Sequence, residues 1–187
     1  FILYSLIILY AWLSWKSMPE YIPSTASPKL RISVIIPARN EEDNIRNLLE
    51  ALQEQTYPPS LFEVIVVDDH SSDGTARIVQ QFPDVQLIKL KEEGINSYKK
   101  KAIETGIAAA TGEWIVTTDA DCIPQKNWLK IIAAFKEENQ SVFIAAPVVL
   151  ECNASFLQVF QAIDFMVLQG ITGVGVNKKL LSMCNGA

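Results

Sequence analysis

The sequence contains few of the residues that build disulfide frameworks or zinc sites. It has three cysteines and one histidine in 187 residues. Cys122, Cys152 and Cys184 lie about thirty residues apart, without the close CxxC pairs or histidine partners that structural zinc sites use. We therefore expect neither a zinc site nor a disulfide framework, and the odd number of thiols favours a reducing, cytosolic location. The single His70 also argues against a histidine-based triad.

An excess of basic residues is missing as well. The net charge is −5, from 16 Lys and Arg and 21 Asp and Glu, which excludes an electrostatic nucleic-acid binder. A hydrophobic fraction of 49% and a mean hydropathy of +0.17 exclude a disordered chain. Neither GxGxxG nor GxxxxGKS/T occurs, which argues against a dinucleotide-dependent oxidoreductase and an ATPase.

An apolar run opens the chain. Phe1 to Trp15 contains no charged residue and carries aromatic residues near its end. A membrane span needs about 20 apolar residues, so we interpret residues 1–16 as a truncated transmembrane helix. Residues 17–29, which contain prolines and hydroxyl residues, form the predicted linker. A signal peptide, for which no cleavage site is visible, and a buried helix are the alternatives for the run.

Beyond the linker, short apolar runs alternate with helical patterns in a predicted domain over residues 30–187. The predicted strands are 32–36, 63–67, 85–90, 114–118 and 142–149, and the predicted helices are 41–53, 75–82, 101–110, 127–138 and 155–167. Asn40 is the predicted cap of the first of these helices. The alternation predicts an α/β fold with a doubly wound, mostly parallel sheet. The last helix either packs on the sheet or lies at a membrane interface.

Polar clusters follow three of the predicted strands. They are Pro37 to Glu41, then Asp68 with Asp69, then Asp119 with Asp121. In an open parallel sheet the carboxyl ends of the strands border one crevice, so these clusters are expected to converge. Converging carboxylates repel one another unless a cation compensates. Asp119 and Asp121 offer the oxygen ligands that Mg²⁺ or Mn²⁺ prefers, whereas Asp68 and Asp69 could also serve only as turn residues.

Three segments of the chain closely resemble the signature segments of family 2 glycosyltransferases with the GT-A nucleotide-sugar fold. They are ISVIIPARNEE at 32–42, VIVVDDHSSDGT at 64–75 and GEWIVTTDAD at 112–121. The resemblance covers about residues 28–187. It implies an inverting transfer of a sugar from a nucleotide-diphosphate donor, usually linked to UDP, to an acceptor hydroxyl.

The resemblance also implies roles for individual residues. The donor-binding positions are Pro37, Ala38, Arg39, Asn40, Glu41, Asp68, Asp69, Lys99 and Asp119. Asp69 corresponds to the carboxylate that binds the base, and Lys99 to a basic residue near the diphosphate, although two further lysines follow it. Asp119 corresponds to a residue at the ribose or donor sugar, and Asp121 to the metal ligand.

The general base of the family follows an Asn-Gly-Ala-like stretch, and residues 185–187 resemble that stretch. We therefore expect the base beyond Ala187, and a fragment that binds the donor without transferring the sugar. Glu151 and Asp164 are the nearest other carboxylates, but neither follows the carboxyl end of a predicted strand.

Two other functions stay open at this point. A nucleotidyltransferase shares the sheet and the metal-bound diphosphate, but it normally has a glycine-rich basic loop after the first strand. A noncatalytic, membrane-tethered nucleotide-binding module is the second, and Asp69, Asp119 and Asp121 speak against it. The resemblance and the apolar N-terminus together imply a membrane-anchored enzyme with a cytoplasmic catalytic domain. Its acceptor would be lipid-linked or a glycan, in envelope glycan or glycolipid synthesis, at the inner or plasma membrane of a bacterium.

Overall fold

The computed structural model describes residues 2–23, 28–91, 98–152 and 155–179. The helices are α1 (Ile2–Lys16), α2 (Ile45–Gln53), α3 (Thr75–Val79), α4 (Tyr98–Ala109), α5 (Trp128–Asn139) and α6 (Phe156–Asn177), with a 3-10 turn over Pro59–Leu61. The strands are β1 (Ile32–Ala38), β2 (Phe62–Asp68), β3 (Val85–Lys89) and β4 (Trp114–Thr117). The chain divides into two units, one of residues 23–142 and one of residues 1–22 with 143–187.

The first unit is built on a four-stranded sheet in the order β3-β2-β1-β4. All three strand pairs are parallel, and β1 and β2 pair in register from Ile32 with Phe62 to Ala38 with Asp68. The two central strands are buried almost throughout, as expected where helices cover a parallel sheet. The predicted parallel α/β sheet is therefore confirmed.

Helix α4 covers one face of this sheet. Ile65 and Val67 of β2 are fully buried and form a cluster with Leu90 and with Ala102 of α4. Gly106 allows the close approach, because a Cβ at that position would collide with the side chain of Ile35. Small residues on α4 therefore let the helix lie close to the strands whose loops carry the polar clusters.

The loop after β1 differs from the prediction. Helix α2 begins at Ile45 and buries Ile45, Leu48, Leu49 and Leu52, so its apolar stripe is the predicted one. The residue before it is Asn44, and Asn40 does not cap the helix. Asn40 instead has a left-handed backbone with φ of 55°, and its side-chain oxygen accepts a hydrogen bond from Ser72 N at 2.8 Å. The helix starts later because residues 39–44 form a loop that connects the polar cluster after β1 with the polar cluster after β2.

The predicted fifth strand over residues 142–149 is wrong, since this described segment has no regular secondary structure. The backbone of Val148 bonds to the side chain of Gln169 in place of a neighbouring strand. Val148 N donates to Gln169 Oε1 at 2.8 Å, and Gln169 Nε2 donates to Val148 O at 2.5 Å. Pro147 lacks the N–H that a ladder needs. The segment therefore satisfies its polar groups within the second unit.

The second unit consists mainly of α1 and α6, which contact each other. Helix α6 continues ten residues beyond the predicted end at residue 167 and leaves most of its apolar side chains exposed. The Trp15 ring lies within van der Waals distance of where a Cβ on Gly170 or Gly173 would stand, so small residues shape this contact. Among the described helices, α6 is the one long and apolar enough to cross a membrane, whereas α1 has 15 residues.

Candidate active site

A cavity of about 270 Å³ opens at the carboxyl ends of β1, β2 and β4. Its lining residues are Pro37, Ala38, Arg39, Glu41, Asp69, Lys99, Asp119, Ala120 and Asp121. Parallel strands bring these positions together because residues that follow neighbouring strands leave the sheet at the same edge. The expected convergence of the three polar clusters is confirmed by this lining.

Backbone hydrogen bonds hold the starts of the three loops against one another. Asp69 N donates to Ala38 O at 2.8 Å, and Thr118 N donates to Ile35 O at 3.2 Å. The loops after β1 and β2 are tied further by Glu41 N, which donates to Thr75 Oγ1 at 2.8 Å. The rim of the cavity is thus an extension of the sheet and holds its side chains on a rigid support.

Asp73 contributes to the same loop connection. Its carboxylate accepts hydrogen bonds from Thr75 N at 2.9 Å, from Thr75 Oγ1 at 2.6 Å and from Glu42 N at 3.2 Å. Desolvation alone would raise the pKa of Asp73, but these hydrogen bonds outweigh it and lower the pKa below its usual range. Asp73 is therefore a structural carboxylate that lies outside the cavity lining.

Asp69 is the most buried carboxylate of the cavity, with 5% of the residue exposed. Its Oδ1 lies 3.0 Å from His70 Nδ1, and its Oδ2 lies 3.5 Å from the Arg39 guanidinium. The guanidinium lies 5.4 Å from the centre of the Tyr98 ring, which also meets His70 edge-on. The His70 ring and the Arg39 guanidinium therefore lie beside the Asp69 carboxylate, and the Tyr98 ring lies next to both of them.

Lys99 and Asp119 form the shortest ion pair in the cavity. The Lys99 ammonium lies 2.7 Å from Asp119 Oδ1. The next lysine, Lys100, points to Glu104 of the same helix at 3.9 Å and does not line the cavity. Lys99 is thus beside the acidic motif, whereas the neighbouring Lys100 is not.

Asp121 lies beyond the buried Ala120 and is exposed, with Cys122 Sγ 3.9 Å from its Oδ1. Within the described ranges no three His, Cys, Asp or Glu side chains are grouped as a metal cage. Asp119 and Asp121 nonetheless give the cavity two carboxylates, and Mg²⁺ commonly uses one or two carboxylates together with phosphate oxygens and water. The two carboxylates therefore fit a divalent cation whose remaining ligands would be diphosphate oxygens and water.

Two residues of the predicted donor site lie outside the lining. Asp68 is buried, and its Oδ1 accepts a hydrogen bond from Ser71 N at 3.2 Å. Asn40 forms hydrogen bonds with Ser71 and Ser72. Asp68 and Asn40 therefore shape the loops around the cavity. Ala120 of the lining lies inside the acidic motif but was not proposed as a site residue. Sequence reasoning missed Tyr98, which lies outside the lining and contacts Arg39, and no motif singles it out.

The carboxylates considered as general bases lie in the second unit. Glu151 and Asp164 are both exposed there, and Asp164 is on α6. Residues 185–187, which resemble the stretch before the family's base, are outside the described part of the chain. Neither of these two carboxylates is therefore in the unit that contains the cavity.

Residues 33–168 match the family described as Glycosyl transferase family 2. Among curated proteins, the glycosyltransferase AglE of Haloferax volcanii is 42% identical over 102 residues, or 53% of this chain and 33% of that protein. The poly(ribitol-phosphate) β-N-acetylglucosaminyltransferase TarS of Staphylococcus aureus is 36% identical over 113 residues, or 60% of this chain and 20% of that protein. The matched part of the chain thus spans a third or less of the length of these relatives.

Solved structures agree with this assignment. The structure of S. aureus TarS 1-349 in complex with UDP-GlcNAc has a TM-score of 0.52 and 30% identity, covering 64% of this chain and 37% of that one. The mannosyltransferase PcManGT from Pyrobaculum calidifontis, in complex with GDP-Man and Mn²⁺, has a TM-score of 0.54 and 30% identity, covering 83% and 45%. On the family match, which exceeds half of the chain, this protein belongs to glycosyl transferase family 2 and has the GT-A fold.

Proposed function

We propose that this chain is the donor-binding part of an inverting glycosyltransferase that moves a sugar from a nucleotide-diphosphate donor, UDP-linked, to an acceptor hydroxyl. The observation that carries the proposal is the cavity that joins Asp69, Asp119 and Asp121 with a basic side chain at one sheet edge. A buried carboxylate can accept a hydrogen bond from a nucleobase, and a pair of carboxylates can hold a metal ion. A basic side chain can pair with a diphosphate.

Asp69 is proposed to bind the nucleobase. Its carboxylate is an acceptor, so it suits an N–H of the base such as that of uracil. The neighbouring Tyr98 ring and Arg39 guanidinium provide flat surfaces beside it, at 5.4 Å from each other. The solved relatives are bound to UDP-GlcNAc in one case and to GDP-Man in another, so the nucleotide is the first quantity to measure.

Mg²⁺ or Mn²⁺ is proposed to be held by Asp121 and Asp119. When bound, the cation neutralises the charge that develops on the leaving diphosphate. The chain's own contribution is to hold the two carboxylates at the end of β4 and to hold Lys99 at the start of α4. The start of α4 would favour an anion, because the amino end of a helix dipole carries partial positive charge.

Transfer also requires a group that removes the proton of the acceptor hydroxyl. We propose that this base belongs to a part of the enzyme beyond Ala187, and that the fragment binds the donor but does not transfer the sugar. The proposed acceptor is a lipid-linked or envelope glycan. Robust sugar transfer by the fragment alone, to any acceptor, would contradict the proposal of a missing base.

Calorimetry tests donor binding. We expect UDP to bind the fragment more tightly with Mn²⁺ than with EDTA, and more tightly than GDP in the presence of Mn²⁺. UMP is the matched control, because it keeps the base but lacks the second phosphate, and its binding should depend little on the metal. If neither UDP nor GDP binds with Mn²⁺ present, the proposed donor site is wrong.

We further propose that the second unit anchors the chain at a membrane. Helix α6 exposes Phe156, Phe160, Ile163 and Met166 among other apolar side chains and is about 33 Å long by its 22 residues. Helix α1 exposes a second apolar surface, with the Lys16 ammonium over the Trp12 ring at its end. Burying such surface in lipid is favourable in proportion to its area.

Flotation with liposomes tests this anchor. The Phe160→Glu variant should lower the partition coefficient about tenfold, because it replaces an exposed aromatic side chain by a charge. The matched control is Ile131→Glu on α5 of the first unit, which is also exposed and should leave flotation unchanged. Equal flotation of the wild type and the Phe160→Glu variant would contradict the anchor.

A further inference from the structure

We propose that Lys99 is a placeholder for the divalent cation. In the free cavity its ammonium neutralises Asp119. When metal and donor are bound, Asp119 would hold the metal and Lys99 would pair with the donor diphosphate. The inference rests on the proposed function and adds a role for one residue. It predicts that Lys99 opposes the binding of free metal and supports the binding of metal with nucleotide.

The geometry places the ammonium where a cation would bind. Lys99 Nζ lies 2.7 Å from Asp119 Oδ1, and both residues line the cavity that also contains Asp121. An ammonium and a divalent cation cannot occupy the same position beside one carboxylate oxygen. Binding of the metal at Asp119 Oδ1 therefore requires that the Lys99 ammonium leave.

The ion pair is built to open. The Lys99 side chain is 56% exposed and that of Asp119 is 31% exposed, so water can replace the contact at small cost. Lys99 is the second residue of α4, and its flexible four-carbon stem can reorient without movement of the helix. The exchange therefore needs a change in one side chain only.

The metal has an advantage over the ammonium that comes from Asp121. Lys99 contacts Asp119, whereas a divalent cation has twice the charge and can also take an oxygen of the exposed Asp121. A bound diphosphate then brings negative charge near the start of α4, where Lys99 can pair with it. The same ammonium thus contacts a carboxylate in the free cavity and phosphate in the occupied one.

The placeholder predicts effects of opposite sign for one substitution. The Lys99→Met variant should bind Mn²⁺ alone about threefold to tenfold more tightly, because a competing positive charge is gone. The same variant should bind UDP at saturating Mn²⁺ about tenfold more weakly, because a charge-assisted contact to phosphate is lost. A lysine that only binds phosphate would leave the Mn²⁺ affinity unchanged, and a merely structural lysine would lower both affinities.

The experiment uses the whole chain and two measurements. Free Mn²⁺ is followed by its paramagnetic resonance signal in a metal titration without nucleotide, and UDP binding is followed by calorimetry. Lys100→Met is the matched control, since it removes the same charge from the neighbouring position, where Lys100 pairs with Glu104 outside the cavity. It should change the Mn²⁺ affinity less than twofold. Lys99→Arg keeps the charge and should retain the wild-type Mn²⁺ affinity more closely than Lys99→Met.

Failure of the placeholder and failure of the proposed function give different results. An unchanged or weaker Mn²⁺ affinity of Lys99→Met overturns the placeholder, whatever the nucleotide data show. Absence of UDP and GDP binding by the wild type overturns the proposed function. If Lys99→Met does not fold, as judged by circular dichroism, Lys99→Gln replaces it with the same expected signs.

Discussion

Two acidic sites lie at opposite ends of the same sheet, and they are built differently. At the amino end, the Glu63 carboxylate accepts hydrogen bonds from Ser33 Oγ at 2.6 Å and from Thr111 N and Thr111 Oγ1 at 2.6 and 2.9 Å. At the carboxyl end, Asp119 forms an ion pair with the exposed side chain of Lys99, and Asp121 is exposed to solvent. One oxygen of the first carboxylate, Oε1, accepts three hydrogen bonds from the fold itself, whereas the second pair lines a cavity.

The glutamate cluster explains why its site is closed. Desolvation would raise the pKa of Glu63, but hydrogen bonds from Ser33 and Thr111 outweigh it and lower the pKa. Gly112 N donates to Ser33 Oγ at 2.8 Å and so joins the same cluster. Gly112 is needed there because a Cβ would lie 2.6 Å from Ser33 N. The cluster therefore joins the starts of β1 and β2 with the turn before β4 and serves the fold.

The difference separates the acids that support the fold from those proposed to bind a ligand. A carboxylate that accepts several hydrogen bonds from backbone and hydroxyl donors contributes to the stability of the fold. A carboxylate beside an exposed ammonium keeps oxygens that a metal or nucleotide can use. Removing the two kinds of acid should therefore affect different measurements.

The largest effect is expected at the carboxyl end. The Asp121→Asn variant should weaken UDP binding in the presence of Mn²⁺ by on the order of 100-fold, because it removes the charge of a proposed metal ligand. Calorimetry measures this, and thermal unfolding without ligand should stay close to that of the wild type. The control is Asp84→Asn, an exposed acid outside the cavity lining. Wild-type affinity in Asp121→Asn would break the comparison.

A smaller effect, and on stability, is expected at the amino end. The Glu63→Gln variant should lower the free energy of unfolding by about 2 kcal/mol, because its hydrogen bonds lose their charged acceptor. Urea denaturation followed by circular dichroism measures the loss, and UDP affinity should not change. Glu104→Gln, an exposed residue paired with Lys100 at 3.9 Å, should cost less than about 0.5 kcal/mol. A loss of nucleotide binding in Glu63→Gln would show that the two ends are coupled.

The smallest effect is the pH dependence of this difference. The folded pKa of Glu63 lies below its usual value of 4.5, so its ionised form stabilises the protein above that pH. As the pH falls through the folded pKa, the contribution is lost, and the wild type should approach Glu63→Gln in stability. Urea denaturation of both proteins across the acid range measures the convergence. Asp73 titrates in the same direction in both proteins and so cancels. A difference that grows on acidification would contradict the role given to Glu63.

Regular patterns in the sequence predicted most of the fold. The four strands and the apolar stripe of α2 were predictable because the spacing of apolar residues along the chain indicates each of them. Residues 142–149 have the composition of a strand but become irregular, because Gln169 satisfies the backbone of Val148. Helix α6 extends past the predicted end because its apolar residues continue to Val176 with no charge after Asp164.

The candidate site divides in the same way. The three motif segments and their positions after β1, β2 and β4 were predictable, since parallel strands end at one edge. That Asp68 and Asn40 lie outside the cavity lining was not predictable. Adjacent residues at a strand end point in opposite directions, so Asp69 lines the cavity while Asp68 is buried against Ser71 N.

The sequence by itself determined the order of the elements, the acidic motifs and membership of the family. Only the tertiary structure decided that Lys99, and not Lys100, contacts Asp119, and that Tyr98 lies against Arg39. The reason is physical. The spacing of apolar residues and motifs is a local property of the sequence. The direction of a side chain at the start of α4 depends instead on how that helix packs over Ile65 and Val67.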